Sequence, residues 1–242
     1  MDKVSFGFED VAPEEKTRRV GGVFSRVAAR YDLMNDLMSG GMHRHWKNQF
    51  VRRLKPRRGE TILDMAGGTG DIAFRIAETG AQVTVADINA EMLGVGQQRA
   101  KRRGIDGLLW AEENAEALTF PDQTFDAYTI AFGIRNVTDI AAALAEAHRV
   151  LRIGGRFSCL EFSTATWPGF ATLYDRYSHH VVPKIGKVVA RDEESYRYLV
   201  ESIRRFPDMS TFKAMIEASG FARVSVEPIL GGVVAIHSGW KT

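Results

Sequence analysis

The central part of the chain alternates short apolar runs with longer segments in which apolar residues recur at helical spacing. The apolar runs predict strands, and the segments between them predict helices. Because helical crossovers connect parallel strands, this alternation predicts an α/β fold built on a mostly parallel sheet. The predicted strands are 60–65, 82–87, 108–110, 125–131 and 156–162, and the predicted helices are 71–78, 90–103 and about 139–150.

Two further segments flank this core. Residues 1–20 are polar, and we expect them to be loosely ordered. A helix follows from Gly22, and a basic helix runs from His43 to Leu54 and stops at Pro56. These helices precede the core and are placed to cover its ligand crevice.

The C-terminal part contains an insertion, a helix at 209–219 and a closing pair of strands at 222–227 and 233–238. We therefore predict a flexible segment at 1–20 and a single domain over 21–242. Within that domain we expect a helical cap, a donor-binding core, a helical acceptor or lid insertion, and a closing helix and strands, at 21–58, 59–163, 164–208 and 209–242 respectively.

Composition is that of a globular protein that does not span a membrane. Of 242 residues, 45% are hydrophobic and 26% are charged, and there is one cysteine, Cys159. A single cysteine excludes an internal disulfide framework and a cysteine-rich metal site. No apolar run has the length of a transmembrane helix, and the N-terminus lacks a signal pattern. We expect a cytoplasmic protein.

Positive charge is concentrated in one segment. Between Lys16 and Arg58 there are twelve Lys or Arg and only two acidic residues, Asp32 and Asp36, a local excess of ten (12 − 2) in a chain of net charge +2. Such a segment suits anionic lipid, an acidic partner or nucleic acid, and a solvated helix face is the commoner outcome. No aromatic-rich nucleic-acid module accompanies it, so we predict no nucleic-acid partner.

The strongest local motif joins the first predicted core strand to its helix. Asp64 precedes a glycine turn made by Gly67, Gly68, Thr69 and Gly70. Glycines let the backbone turn tightly and approach a ligand, and the following helix directs free N–H groups at the same crevice. Asp87 ends the next strand, where a carboxylate commonly binds ribose hydroxyls.

Two cofactor classes fit this motif. Gly68, Gly70 and Ala73 satisfy the dinucleotide fingerprint, with Asp87 at the expected distance. The other class is S-adenosylmethionine, which carries an ammonium and a sulfonium but no diphosphate. The carboxylate of Asp64 suits a cation and would repel a diphosphate, so we favour the methyl donor. A strand–helix turn without a ligand is the remaining interpretation.

Several blocks of sequence resemble the UbiE-type ubiquinone/menaquinone biosynthesis C-methyltransferases. They extend from about residue 20 to residue 242, and the two most specific are Phe-Gly-Ile-Arg-Asn at 132–136 and Asp-Glu-Glu-Ser-Tyr-Arg-Tyr-Leu at 192–199. Others are 31–36, 42–47, 64–70, 86–89, 114–118, 160–163 and 231–237. The resemblance implies a Rossmann-like class I methyltransferase fold, with a mostly parallel seven-stranded sheet whose last strand is antiparallel.

The resemblance also implies the ligands. The donor is S-adenosyl-L-methionine, and the acceptor is a ring carbon of a prenylated benzoquinol, of demethylmenaquinol, or of both. By position, Thr69 lies in the glycine loop, Asp87 binds the ribose, and Asn114 with Ala115 borders the adenine. The family often has serine where this chain has Ala131, so only a backbone contact remains there.

Methylation of a quinol carbon is favoured when the ring hydroxyl loses its proton, because negative charge then reaches the ortho carbon. Arg135 and Asn136 follow the fourth predicted core strand, at the edge of the sheet where such folds bind ligands. We predict that they hold the quinol oxygen as charge develops. A structural arginine paired with a carboxylate or a helix end is the alternative. No metal site is predicted.

Candidate acceptor contacts are Tyr31, His43, Tyr196 and Tyr198. For each, a core or packing role is the alternative. We expect the insertion at 164–208 to form a wall of the quinol pocket, with transient contact to the inner face of the cytoplasmic membrane or to a quinone-synthesis complex. Oligomeric state is left open by the sequence.

Three other functions remain open at this stage: an NAD-linked oxidoreductase, a methyltransferase for another small acceptor or RNA, and a non-enzymatic scaffold with a vestigial donor site. The dinucleotide interpretation leaves Asp64 and Asn114 unexplained. The scaffold interpretation leaves the intact glycine loop unexplained.

Overall fold

The computed structural model describes residues 3–28, 31–163 and 193–242. In those ranges the strands are β1 (Val4–Phe6), β2 (Glu9–Val11), β3 (Thr61–Met65), β4 (Gln82–Asp87), β5 (Leu109–Glu112), β6 (Phe125–Ala131), β7 (Leu151–Phe162), β8 (Ala222–Ile229) and β9 (Val234–Trp240). The helices are α1 (Pro13–Val27), α2 (Tyr31–Ser39), α3 (His43–Leu54), α4 (Asp71–Ala77), α5 (Ala90–Arg103), α6 (Ile140–Val150), α7 (Glu193–Arg205) and α8 (Met209–Ala218).

Seven strands form one sheet in the order β5-β4-β3-β6-β7-β9-β8. The pairs from β5 to β7 are parallel, and β9 is antiparallel to both β7 and β8. The predicted fold class is therefore confirmed, including its antiparallel last strand. The order reverses next to β3, so the crevice above β3 is the point where ligands bind in such sheets.

Helices cover both faces of the sheet, because alternate strand residues point to opposite sides. Ile62 packs in the apolar cluster that contains residues of α3 and α4. Its neighbour Leu63 packs in the cluster on the other face, with residues of α6 and α8. Ile62 and Leu63 are both fully buried, as expected for a strand in the middle of a parallel sheet.

The helix starts follow from local sequence. Asn89, Asp139 and Asp208 each accept a backbone N–H in the first turn of α5, α6 and α8, respectively. These caps satisfy amide groups that have no partner inside the helix.

The N-terminal segment differs from the prediction. Residues 4–11 form a two-stranded hairpin and α1 begins at Pro13, so the predicted flexible segment at 1–20 and the cap boundary at 21 are corrected. The reason is tertiary packing: the Phe6 ring stacks on Tyr198 of α7 with centroids 4.4 Å apart, and Phe6, Val20 and Val23 share one buried cluster with Tyr198. A sequence pattern cannot show a partner that lies almost two hundred residues away.

The fifth core strand is also longer than predicted. It begins at Leu151, whereas the prediction began at 156, and its register against β6 shifts between Phe125 and Ala127. Gly154 has φ +81° within this irregularity. The glycine pair at 154–155 is therefore a bulge inside the strand and does not end it. The finer division of the domain into donor core and acceptor lid stays a prediction.

Candidate active site

A cleft opens at the carboxyl ends of β3, β4 and β6. Its empty volume, counted to the open mouth, is about 1050 Å³. Ten of the predicted site residues line it: Tyr31, Asp64, Gly67, Gly68, Thr69, Asp87, Asn114, Ala115, Ala131 and Asn136.

The glycine loop crosses the floor of this cleft, and its packing requires glycine. A Cβ on Gly67 would lie 2.7 Å from Val85 Cγ1 and 2.8 Å from the Asp64 carbonyl oxygen. Gly70, the N-cap residue just before α4, has φ +82°, and a Cβ there would lie 2.8 Å from the Phe74 ring. Gly70 does not itself line the cleft, so its role is to shape the loop. Thr69 is buried and its hydroxyl accepts a hydrogen bond from Arg99 Nη1 (2.7 Å).

Asp87 connects the end of β4 to the glycine loop. Its Oδ2 accepts the Gly68 N–H at 3.0 Å, and its Oδ1 accepts the Asn89 N–H at 2.9 Å. Burial raises the pKa of Asp87 to about 6, although these amides favour the charged form. Each carboxylate oxygen has a second lone pair, so Asp87 can still accept hydroxyl groups from a ligand in the cleft.

Asp64 is the most unusual group in the cleft. It is 1% exposed, and Oδ1 accepts a hydrogen bond from the Thr129 hydroxyl at 2.8 Å. Among the described residues Oδ2 has no hydrogen-bond partner, although the Ala73 amide lies close enough to lower the pKa. Burial nevertheless raises the pKa of Asp64 to about 7. A buried polar atom without a partner is costly, so a cationic ligand group beside Gly67 would complete this site.

A buried charge cluster lies beside the glycine loop. Lys47 of α3 is 4% exposed, lines the cleft and donates to Asp71 Oδ2 at 2.7 Å. Arg75 donates to the other oxygen of the same carboxylate at 2.6 Å. Burial acts to raise the pKa of Asp71, but the two cations lower it below its usual value. Lys47 was not among the predicted site residues, because a lysine in a basic helix carries no sign of its burial.

Asn114, Ala115 and Ala131 line the cleft together. The Asn114 side-chain oxygen accepts the Glu116 N–H at 3.0 Å, which forms a tight turn after β5. Ala115 is buried in that turn, and Ala131 ends β6. With a methyl side chain, Ala131 has only backbone polar groups to offer a ligand.

Arg135 and Asn136 lie in a short 3₁₀ turn after β6, but only Asn136 lines the cleft. Arg135 is buried: its Nη1 donates to Glu161 Oε1 at 2.8 Å and to the Phe132 carbonyl at 2.6 Å. Its Nε is buried without a hydrogen-bond partner among the described residues. This geometry is that of a structural arginine paired with a carboxylate, which was the alternative interpretation of the sequence. The predicted contact of Arg135 with a quinol oxygen stays a prediction.

The tyrosines occupy different places. Tyr31 lines the cleft, and burial raises its pKa. Tyr198 lies behind the cleft, where its hydroxyl donates to Asn136 Oδ1 at 3.1 Å and burial raises its pKa to about 12. The side chain of Tyr196 and residues 164–192 of the predicted insertion lie outside the described residues.

His43 is buried but does not line the cleft. Its Nε2 lies 2.8 Å from Asp36 Oδ1, and burial together with the charge of Lys47 lowers its pKa. Its predicted contact with the acceptor has no geometric support in this structure.

One wall of the cleft contains no predicted site residue: α1 supplies it through Thr17, Val20, Gly21 and Phe24. Asn89 holds the helix in place, since its Nδ2 donates to the Gly21 carbonyl (3.2 Å) and to Ser25 Oγ (3.0 Å). The available signal was the general prediction that N-terminal helices cover the crevice, but α1 begins earlier than expected.

Among the described residues, no helix combines the length and apolar character that crossing a bilayer requires. Those same residues contain no group of three or more His, Cys, Asp or Glu arranged to hold a metal ion.

Comparison with solved structures supports the fold alone. A SAM-dependent methyltransferase from Thermotoga maritima, described as a possible histamine N-methyltransferase, superposes with a TM-score of 0.68 over 92% of this chain and 100% of its own, at 18% identity. A phosphoethanolamine-type N-methyltransferase from Haemonchus contortus, solved with S-adenosylhomocysteine, superposes with a TM-score of 0.61 over 81% of this chain and 52% of its own, at 15% identity.

Comparison with sequences identifies the family. A protein of Zymomonas mobilis described as ubiquinone/menaquinone biosynthesis C-methyltransferase UbiE is 65% identical over 100% of both chains. Its counterpart in Rhodopseudomonas palustris is 56% identical over 98% of this chain and 96% of its own. The sequence model of the ubiE/COQ5 methyltransferase family matches residues 12–241. The resemblance carried by the sequence blocks and the predicted methyltransferase class are thus confirmed, and the chain belongs to the ubiE/COQ5 methyltransferase family.

Proposed function

We propose that this protein transfers a methyl group from S-adenosylmethionine to a ring carbon of a prenylated quinol. The acceptor is the demethylated benzoquinol precursor of ubiquinol, demethylmenaquinol, or both. Family membership and the names of the two relatives support the reaction. The observation that carries the donor assignment is the buried Oδ2 of Asp64, which lies beside Gly67 and has no hydrogen-bond partner in the described part of the chain.

The residues of the cleft fit the parts of the donor in turn. Asp64 offers a carboxylate oxygen to the ammonium group, and Asp87 offers its free lone pairs to the ribose hydroxyls. Asn114 and Ala115 border the space left for the adenine, with Ala131 beside them. When bound, the donor supplies an electrophilic methyl group on a sulfonium.

Charge favours this donor over a dinucleotide. Burial raises the pKa of both Asp64 and Asp87, which means that both carboxylates are already costly to ionise in the cleft. A diphosphate would add negative charge beside the two carboxylates, whereas an ammonium or a sulfonium would offset the negative charge of the carboxylates.

On the acceptor side, Asn136 is the polar group that reaches the cleft from the turn after β6. Its Oδ1 accepts from Tyr198, so the two N–H donors of its amide are the groups that it would offer to a quinol oxygen. Arg135 would act from behind through the positive charge of its guanidinium as the oxygen loses its proton. Tyr31 lines the same cleft and is the second candidate contact.

Contact with the cytoplasmic membrane or with a quinone-synthesis complex belongs to this proposal, because a prenyl tail is apolar and partitions into lipid. Two apolar side chains of the N-terminal helical region are partly exposed: Leu33, near the start of α2, is 41% exposed, and Met42, just before α3, is 38% exposed. Arg44 follows two residues after Met42 and pairs with Asp36 at 2.7 Å. Exposed apolar side chains in a segment with an excess of basic residues suit an anionic membrane surface.

Methyl transfer with defined acceptors tests the reaction. Purified protein would be given methyl-labelled S-adenosylmethionine with a demethylated benzoquinol and, separately, with demethylmenaquinol. We expect a ring-methylated product from at least one of them. At low donor concentration, the Asp64→Asn variant should form no such product. If only small acceptors that are not quinols became labelled, the protein would have another methyltransferase activity and the proposed acceptor would be wrong.

A further inference from the structure

Two opposite charges line the cleft from two successive elements of the chain, α3 and β3. Lys47 belongs to α3 and Asp64 is the penultimate residue of β3, and both are almost fully buried. Asp71, the hydrogen-bond partner of Lys47, lines the cleft as well. Lys47 and Asp64 are near enough that the charge of Lys47 lowers the pKa of Asp64. A pair of opposite charges facing one space matches a zwitterion, the charge pattern of an amino acid.

The ammonium group of Lys47 can donate further hydrogen bonds. A lysine ammonium carries three N–H donors, and the hydrogen bond described for Lys47 is the one to Asp71 Oδ2, at 2.7 Å. Asp71 does not depend on Lys47 alone, because Arg75 donates to its other carboxylate oxygen at 2.6 Å. Lys47 can therefore direct a donor at a ligand while Asp71 keeps a cationic partner.

Stability alone gives a weak reason for this buried lysine. The desolvation of a buried ion pair largely offsets its attraction, and an apolar pair of similar size is often as stable. Asp71 also has a partly exposed arginine within reach on its own helix. The feature that distinguishes Lys47 from Arg75 is its position: Lys47 lines the cleft and Arg75 does not.

We propose that Lys47 binds the α-carboxylate of the donor's amino-acid end while Asp64 binds its ammonium group. The inference rests on the proposed function and adds a specificity to it. The cleft would select nucleosides that carry a complete amino acid over those that lack the carboxylate. A dinucleotide, which has no such end, would leave both charges unmatched.

Three adenine nucleosides separate the parts of this site. S-adenosylhomocysteine has both the ammonium and the carboxylate, its decarboxylated analogue keeps only the ammonium, and 5′-methylthioadenosine has neither. Titration calorimetry on the wild-type chain should give S-adenosylhomocysteine an affinity about 10- to 100-fold above that of the decarboxylated analogue, the usual worth of a charged hydrogen bond. Equal affinities for these two ligands would overturn the proposal without any variant.

Variants then assign the effect to Lys47. Lys47→Met should weaken binding of S-adenosylhomocysteine about 10- to 100-fold and leave binding of the decarboxylated analogue nearly unchanged. Lys47→Arg, which keeps the charge, should recover part of the difference. The matched control is Arg75→Met, which also removes a partner of Asp71: it should lower the melting temperature yet retain the wild-type ratio of the two affinities.

The outcomes distinguish this proposal from the function on which it rests. A Lys47→Met protein with the wild-type affinity ratio would show that the lysine only ties α3 to α4. A wild-type protein that fails to bind S-adenosylhomocysteine at all would overturn the proposed function itself.

Discussion

Replacing Glu161 by leucine is expected to lower the free energy of unfolding by about 3–5 kcal/mol, because it leaves the Arg135 guanidinium buried without its carboxylate. The two side chains are 3% and 1% exposed and are joined at 2.8 Å. Glu161 Oε1 also accepts the Phe162 N–H at 2.8 Å, so a backbone group loses its partner in the same substitution. Urea denaturation of the purified variant measures the loss.

Two controls separate burial from charge. Asp122 pairs with Arg149 at the surface and is 71% exposed, so Asp122→Ala should cost below about 1 kcal/mol. The double variant Arg135→Met with Glu161→Leu should regain most of the lost stability, because no buried charge is left alone. A Glu161→Leu protein as stable as the wild type would show that the pair is unimportant to the fold.

The same double variant addresses the role of Arg135 in turnover. It removes the guanidinium but keeps a folded protein, so a loss of kcat with unchanged donor affinity would support a charge that acts on the quinol oxygen. Unchanged kcat would end that hypothesis and leave Arg135 as the structural partner of Glu161.

Donor binding is expected to strengthen as pH rises through about 7, by up to about tenfold per pH unit below that value. The sign follows from Asp64. Burial raises its pKa to about 7 in the free protein, while a bound ammonium group favours the ionised carboxylate. Binding must therefore release the proton, and that requirement weakens affinity as pH falls. Titration calorimetry with S-adenosylhomocysteine from about pH 6 to pH 8 measures the slope.

Asp64→Asn provides the matched variant. The side-chain oxygen can still accept from Thr129, but the charge is gone, so affinity should fall about 10- to 100-fold. The slope near pH 7 should vanish as well. Asp87, whose pKa burial raises to about 6, would still contribute near pH 6. An Asp64→Asn protein that kept the slope at pH 7 would contradict the assignment.

The fold was largely predictable, because the signals that define it are local. Strand and helix periods, the glycine loop and the caps lie within short stretches, and the predicted core elements match the observed ones to within a few residues for most of β3 to α6. The failures have tertiary causes. Residues 4–11 form a hairpin because Phe6 stacks on Tyr198, and β7 continues through Gly154 because a bulge absorbs that glycine.

The site was predictable where a motif fixes a position and unpredictable where packing decides. Asp64 and Asp87 follow from strand ends beside a glycine loop, and both line the cleft. Lys47 belongs to a segment with a local excess of positive charge, and nothing in that sequence separates a buried lysine from a solvated one. Arg135 shows the converse. Its position after β6 was predicted correctly, but its guanidinium donates to Glu161 on the neighbouring strand β7 and does not line the cleft.

The proposed function follows from the preference of the cleft for a cationic amino-acid nucleoside over a diphosphate coenzyme. Competitive titration of the full chain with S-adenosylhomocysteine and NAD⁺ tests this directly. We predict saturable binding of S-adenosylhomocysteine that an excess of NAD⁺ does not displace. Binding of NAD⁺ that excludes S-adenosylhomocysteine would contradict it.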